Sequence, residues 1–208
     1  MFPFLTYYFQ ANLGYSPLRA GFAFLPFSLG IILTAGVTAR LLPRVGPRPL
    51  MVPGLALAVL GMLWLTQIDQ PTSYWTHVFP AEVVMSVGLA NVFIPAASTA
   101  LLGVGHHDAG VASAVLNTGQ MVGGSLGTPL LNTVFAGAVT NYLATNLTDP
   151  ADAQRLAPLA FIHGYHVAFL WGAAIFALAL VLSAVLINVR RQDLPADAMA
   201  GQAVPAAE

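Results

Sequence analysis

The chain has 208 residues and a mean hydropathy of +0.76; 57% are hydrophobic and only 7% charged, where a soluble domain carries about 25% charged residues. The formal net charge is −1 and there is no lysine, which excludes a dense basic surface for nucleic acid; with no cysteine, disulfides and thiolate metal sites are excluded too. The apolar runs are long and do not alternate, so the chain is expected to be an all-α integral membrane protein, a helical bundle rather than a barrel.

Residues 2–10 (FPFLTYYFQ) read as the last part of a membrane helix, too short to span at about 1.5 Å rise per residue. A chain that begins with half a span reads as the later part of a longer protein. Tyr7 and Tyr8 suit a membrane interface. Ser16 before Pro17 is a helix start: serine caps, and proline fits the first helical position. The second helix is expected over 17–42, bent by Pro26. Arg19 in its first turn opposes the helix dipole, which asks for a partner or a solvated end. Arg40, Arg44 and Arg48 then fall within nine residues, and Pro43, Gly46 and Pro47 force a tight turn there. As the densest basic loop between spans it belongs on the cytoplasmic side. The third helix is expected over 49–68 and the fourth over 77–102. The fifth runs over 108–146 with Asp108 as its N-cap, and the sixth over 159–189, closed by Arg190 and Arg191. Residues 191–208, rich in Ala, Pro and Asp, read as a disordered cytoplasmic tail. Alternating sides place five of the seven arginines on one face. The expected architecture is therefore one transmembrane domain, 1–190, with five full spans and a partial first one. It would sit in the cell membrane with its C-terminus in the cytoplasm.

The fifth helix carries the strongest functional signal. From Ala109 to Val139 it has no charged residue, yet it is full of Gly, Ser, Thr, Asn and Gln. At about 100° per residue, Asn117, Gln120, Gly124, Thr128 and Asn132 fall within an arc of roughly 120°. Beside them Gly119, Gly123 and Gly127 form a ladder of small residues that lets helix backbones approach closely in lipid. Amides do not face hydrocarbon cheaply. The stripe is expected to face either a partner helix, as packing glue, or a watery cavity, as substrate contact. Glu82 is the only carboxylate inside an expected span. Its two readings are a solvated group at the outer helix end and a desolvated group that exchanges a proton. Ser86 lies one turn away on the same face, and Asn91 roughly opposite. Trp64, Trp75 and Trp171 read as lipid-facing or interfacial anchors, and His163 and His166 as interfacial histidines. His106, His107 and Asp108 are adjacent and do not easily face one metal, and no further ligand lies nearby in the sequence. No nucleotide loop, nucleophile elbow or zinc motif appears, so neither an enzyme nor a cofactor is indicated.

Three stretches in this order, YYFQANLGYSPLRAGFAFLP, RLLPRVGPRPLM and NTGQMVGGSLGTPLLNTVF, resemble the major facilitator superfamily, and within it the fourteen-helix drug–proton antiporters. The likeness covers residues 2–190 and is to the C-terminal six-helix half alone. The resemblance implies a transporter that exports small amphiphilic compounds by proton antiport, with alternating access about a site near the bilayer midplane. It implies gating by the Arg40, Arg44 and Arg48 turn, a central cavity beside Asn117, Gln120 and Thr128, and proton coupling at Glu82. The partners it implies are membrane lipid, a small-molecule substrate and the N-terminal half of the same permease. The alternative is a chain that does not transport: a truncated fragment, or a scaffold paired with another polypeptide.

Overall fold

Proline and glycine punctuate this fold more than charge does. A computed structural model describes residues 1–69, 73–101, 103–105, 107–147, 149 and 152–187. Helix α1 (Phe2–Tyr7) runs into a π-helical turn, Tyr8–Asn12. Ser16 caps α2 (Pro17–Ala23) by accepting the Arg19 N–H at 3.3 Å, and the Arg19 guanidinium lies over the Tyr15 ring, 4.1 Å from its centroid, a cation–π contact that offsets its unfavourable end of the helix. Helices α3 (Leu25–Val45) and α4 (Arg48–Leu65) follow. A second π-helical turn, Tyr74–Val78, leads into α5 (Phe79–Ala100). Helices α6 (Ala109–Asn146) and α7 (Ala153–Leu186) complete the described residues.

The expected bend at Pro26 is a full break. Proline withholds one N–H and crowds the preceding turn, so the helix stops at Ala23 and restarts at Leu25. At the break the Phe24 N–H bonds the Gly21 carbonyl at 3.2 Å, and the regular ladder resumes with Ser28 N–H to the Phe24 carbonyl, also 3.2 Å. Pro43, expected in the Arg turn, instead lies inside α3. What ends α3 is Gly46, whose φ of 82° only glycine adopts freely. Pro158 likewise lies inside α7, which begins at Ala153 rather than 159: it is the sixth residue, so the helix gives up one N–H bond there, and the Ala, Gln, Arg and Leu ahead of it are good helix formers. Helix α4 ends at Leu65, earlier than 68, where the Thr66 hydroxyl bonds the Leu63 carbonyl at 2.7 Å. Asp108 occupies the N-cap position of α6 without capping it; its carboxylate lies 3.5 Å from His107 Nδ1 instead. His106, Arg190, Arg191 and the expected tail lie outside the described residues.

The helices pack in a row. Helix α4 sits between α5 and α7, α3 lies on the far side of α5, and α6 lies on the far side of α7. Glycines set several close crossings. A Cβ on Gly54 would meet the Gly88 carbonyl at 2.7 Å, and one on Gly88 would meet the Gly54 carbonyl at 2.6 Å, so α4 and α5 touch backbone to backbone. A Cβ on Gly164 of α7 would meet Val139 at 2.7 Å and Phe135 at 2.8 Å, both on α6. The ladder of Gly119, Gly123 and Gly127 behaves otherwise: nothing lies within 4 Å of any of their Cβ positions.

The core is aromatic at one end. Phe4, Tyr8 and Phe9 are buried there against Tyr74, Tyr165 and Phe169, with Tyr8 edge-on to Tyr165 at 6.0 Å and Phe9 to Tyr74 at 5.9 Å. Tyr8 is thus a core residue rather than an interfacial one, and only Tyr7 of the pair is exposed. The outward faces carry Leu29, Ile32, Leu33, Leu178 and Val185, as a lipid-facing surface does. Trp64, Trp75 and Trp171 are exposed on it as well. Among the described residues, four stretches are long and apolar enough to cross a membrane: Pro17–Val45, Arg48–Leu65, Tyr74–Ala100 and Ala153–Leu186. Helix α6, the expected fifth span, is long enough with 38 residues, about 57 Å, but its amides and glycines keep it below that apolarity.

Candidate functional site

Two features stand out, and they lie in different parts of the bundle. The first is Glu82, in the first turn of α5. It is 0% exposed, which rules out the reading of a solvated carboxylate at the helix end. The elements around it explain the burial. The π-helical turn before α5 carries Tyr74 inward, and the break between α2 and α3 leaves the Ala23 carbonyl beside it. The Tyr74 hydroxyl donates to the Ala23 carbonyl at 2.8 Å and lies 3.5 Å from Glu82 Oε2. Glu82 Oε1 has no hydrogen-bond partner among the described residues. One turn on, Ser86 is buried on the same face, its hydroxyl returned to the Val83 carbonyl at 2.8 Å and packed against Gly30 of α3, where a Cβ would collide with it. Farther along α5, Asn91 also reaches α3: it accepts a hydrogen bond from the Thr38 hydroxyl at 2.9 Å and donates to the Val87 carbonyl at 2.9 Å.

The proton count at Tyr74 decides what this arrangement can do. A phenol has one O–H. Given to Ala23, it leaves only lone pairs toward Glu82, and the Tyr74–Glu82 contact is then a hydrogen bond only when the carboxyl itself carries the proton. With an ionised carboxylate the single phenol proton can serve Glu82 or the Ala23 carbonyl, not both. One hydroxyl thus stands between Glu82 and the helix break. A surface cleft of about 300 Å³ lies on the other side of Tyr74, lined by Tyr15, Arg19, Ala23, Pro26 and Trp75.

The second feature is the outer face of α6. None of its residues is buried. Asn117, Gln120 and Thr128 are exposed and make no hydrogen bond to the described residues. A shallow groove of about 460 Å³ runs along Val111, Val115, Thr118, Gly119 and Val122. The structure does not bring Glu82 and this stripe together, since α5 faces α3 and α4 while α6 packs almost wholly on α7. Arg40, Arg44 and Arg48 are exposed around the Gly46–Pro47 turn with no ion pair among the described residues. His166 Nε2 meets the Ile68 carbonyl, and the His163 ring lies 5.2 Å from that of Tyr142, so both histidines make ordinary packing contacts.

Sequence reasoning missed Tyr74 and Ala23 as partners of Glu82. It also missed Gly54 and Gly88, although Gly54, Ala58 and Gly61 at one-turn spacing on α4 were a readable signal of close packing.

The sequence model of the Major Facilitator Superfamily matches residues 1–128. Among curated proteins, the chain is 44% identical over 195 residues to the puromycin resistance protein pur8 of Streptomyces alboniger, covering 92% of this chain and 38% of that protein. It is 33% identical over 195 residues to the cephamycin export protein CmcT of Amycolatopsis lactamdurans, with 92% and 37% covered. It is 30% identical over 183 residues to the lincomycin resistance protein LmrB of Listeria innocua, with 86% and 37% covered. The chain thus spans less than two fifths of the length of these relatives.

Proposed function

Because the chain belongs to the Major Facilitator Superfamily, we propose that it is the C-terminal half of a proton-driven exporter of small amphiphilic compounds. It is a multi-pass membrane protein. The observation that carries the proposal is the bare face of α6, a 38-residue helix with no buried residue and a polar stripe of Asn117, Gln120, Thr128 and Asn132. In lipid such a face is costly, and it is satisfied when a second half-bundle and a water-filled pathway lie against it. In this reading Gly119, Gly123 and Gly127 admit the facing helix, and Asn117, Gln120 and Thr128 border the pathway. The names of the relatives, resistance to puromycin and lincomycin and export of cephamycin, support antibiotic-like cargo. Glu82 is the proton-exchange site, and movement of its proton biases the α2–α3 break through Tyr74. Arg40, Arg44 and Arg48 gate the cytoplasmic side by pairing with carboxylates or helix C-termini of the other half and releasing them as the halves rock. The protein sits in the plasma membrane with its C-terminus in the cytoplasm.

The test is export by the complete protein in vesicles with an imposed pH gradient. Efflux of a lipophilic cation is expected to follow the gradient and to stop when it is collapsed; gradient-independent efflux, or none from a folded protein, ends the proposal. In the same assay Arg44→Glu is expected to slow export severalfold at unchanged yield. An unchanged rate would leave the arginines as topology signals alone.

A further inference from the structure

The cleft of about 300 Å³ beside the α2–α3 break has a charged end and an apolar end. At the first, the Arg19 guanidinium lies over the Tyr15 ring, 4.1 Å from its centroid. Among the described residues no carboxylate pairs with it, and no acidic residue lines the cleft. At the second, Phe22, Leu25 and Leu29 are exposed along one wall, and Trp75 is exposed on the facing side. The cleft also sits at a definite depth. Arg19 is in the first turn of the apolar stretch Pro17–Val45, and Trp75 is at the start of Tyr74–Ala100, the level at which such side chains meet lipid headgroups. From Arg19 to Leu29 the chain rises about 15 Å, half of the roughly 30 Å hydrocarbon core and so the depth of one leaflet.

We propose that this cleft binds one anionic phospholipid, its phosphate on Arg19 and an acyl chain along Phe22, Leu25 and Leu29. Charge complementarity selects this occupant. The guanidinium and phosphate match as donor fork and acceptor. A zwitterionic lipid brings an ammonium as well, which Arg19 repels and no carboxylate in the cleft receives. A small soluble anion meets Arg19 but leaves the apolar wall uncovered, and an uncharged apolar molecule leaves Arg19 unpaired. The bound lipid lies against Ala23 and Pro26, the residues on either side of the helix break. The site requires only that the chain lies in a membrane, and it stands apart from the export reading.

Trp75 reports on the cleft directly. The complete protein in neutral detergent micelles is titrated with phosphatidylglycerol brominated in the upper part of its acyl chains, since bromine quenches a tryptophan it touches. Each protein is compared with its own Trp75→Phe counterpart, and the difference isolates the Trp75 emission. Saturable quenching is expected, at a lower lipid fraction than for brominated phosphatidylcholine with the same chains. Arg19→Gln is expected to raise the half-quenching fraction of phosphatidylglycerol about fivefold, the factor one arginine at a membrane surface contributes, and to bring it to the phosphatidylcholine value. Arg19→Lys keeps the charge and should stay within about twofold of the parent, while Arg155→Gln, a change in another helix, should alter nothing. Glycerol phosphate, a headgroup without chains, should not relieve the quenching. Equal quenching by the two lipids in the parent overturns the proposal, as does a phosphatidylglycerol titration indifferent to Arg19→Gln. An Arg19→Lys protein that behaves like Arg19→Gln overturns it too, since Arg19 would then act through its packing on Tyr15, and relief by glycerol phosphate would make the cleft a site for soluble anions instead.

Discussion

Glu82→Gln is expected to abolish gradient-driven export while leaving the protein folded. Glutamine has the volume of glutamic acid and no titrating proton. Its amide can donate to the Tyr74 oxygen, so the Tyr74–Ala23 hydrogen bond at 2.8 Å stays as it is. Stability should change by less than about 1 kcal/mol, since one neutral hydrogen-bond donor replaces another. What disappears is the alternation at Tyr74: the phenol proton has no reason to leave the Ala23 carbonyl, and the break between α2 and α3 no longer senses a proton. Passive equilibration of substrate across the membrane is expected to survive. Glu82→Asp retains the proton but withdraws the carboxyl from Tyr74 and should be intermediate. Uphill transport in pH-gradient vesicles, normalised to folded protein, reads the difference. Full uphill transport by the Gln variant would remove Glu82 from the coupling mechanism.

The second large effect is on folding. Gly88→Leu is expected to cost the protein its bundle. A first side-chain carbon at Gly88 would stand 2.6 Å from the Gly54 carbonyl, 2.9 Å from the Ala58 nitrogen and 3.1 Å from Leu57 Cβ. Two of these three atoms are backbone, so no rotamer change relieves the contact, and α4 and α5 must separate. Overpacking alone costs roughly 1–3 kcal/mol, and separating the helices forfeits the α4–α5 packing as well. Little folded protein should be recovered, and Gly88→Ala should already lower the detergent melting temperature. Gly110→Ala, where nothing lies within 4 Å, is the control and should melt like the parent or slightly higher, because alanine is the better helix former. Equal melting of Gly88→Ala and the parent would mean that α4 and α5 do not cross at these glycines.

Helix identity was readable because hydrophobic length, Ser16 before Pro17, and the Gly46–Pro47 turn are local signals. Helix ends were less so. Pro43 and Pro158 look like stops, yet each lies inside its helix, which continues past the lost N–H bond. The importance of Glu82 was legible from its being the lone carboxylate in a span, but its burial was not. That depends on a π-helical turn swinging Tyr74 inward and on a helix break nearly sixty positions earlier in the chain, neither of which has a periodic signature. Tyr8 illustrates the same gap: an aromatic near a helix end suits the interface, and only the docking of the Tyr8–Asn12 turn against Tyr165 of α7 places it in the core. The glycines divide by partner. Those of α4 and α5 meet a helix within this chain, while the α6 ladder, the more conspicuous pattern, meets none of the described residues. A sequence pattern tells that a surface is prepared for close approach, and not which helix approaches.

The central claim is that the amide face of α6 borders a transport pathway. Gln120→Leu in the complete protein tests it most directly, by measuring export of several aromatic and non-aromatic substrates together with the yield of folded protein. A changed order of substrate preference at normal yield is the predicted result. A fall in yield with the preference intact would make the stripe helix glue, and no change in either would place Gln120 against lipid; both would contradict the claim.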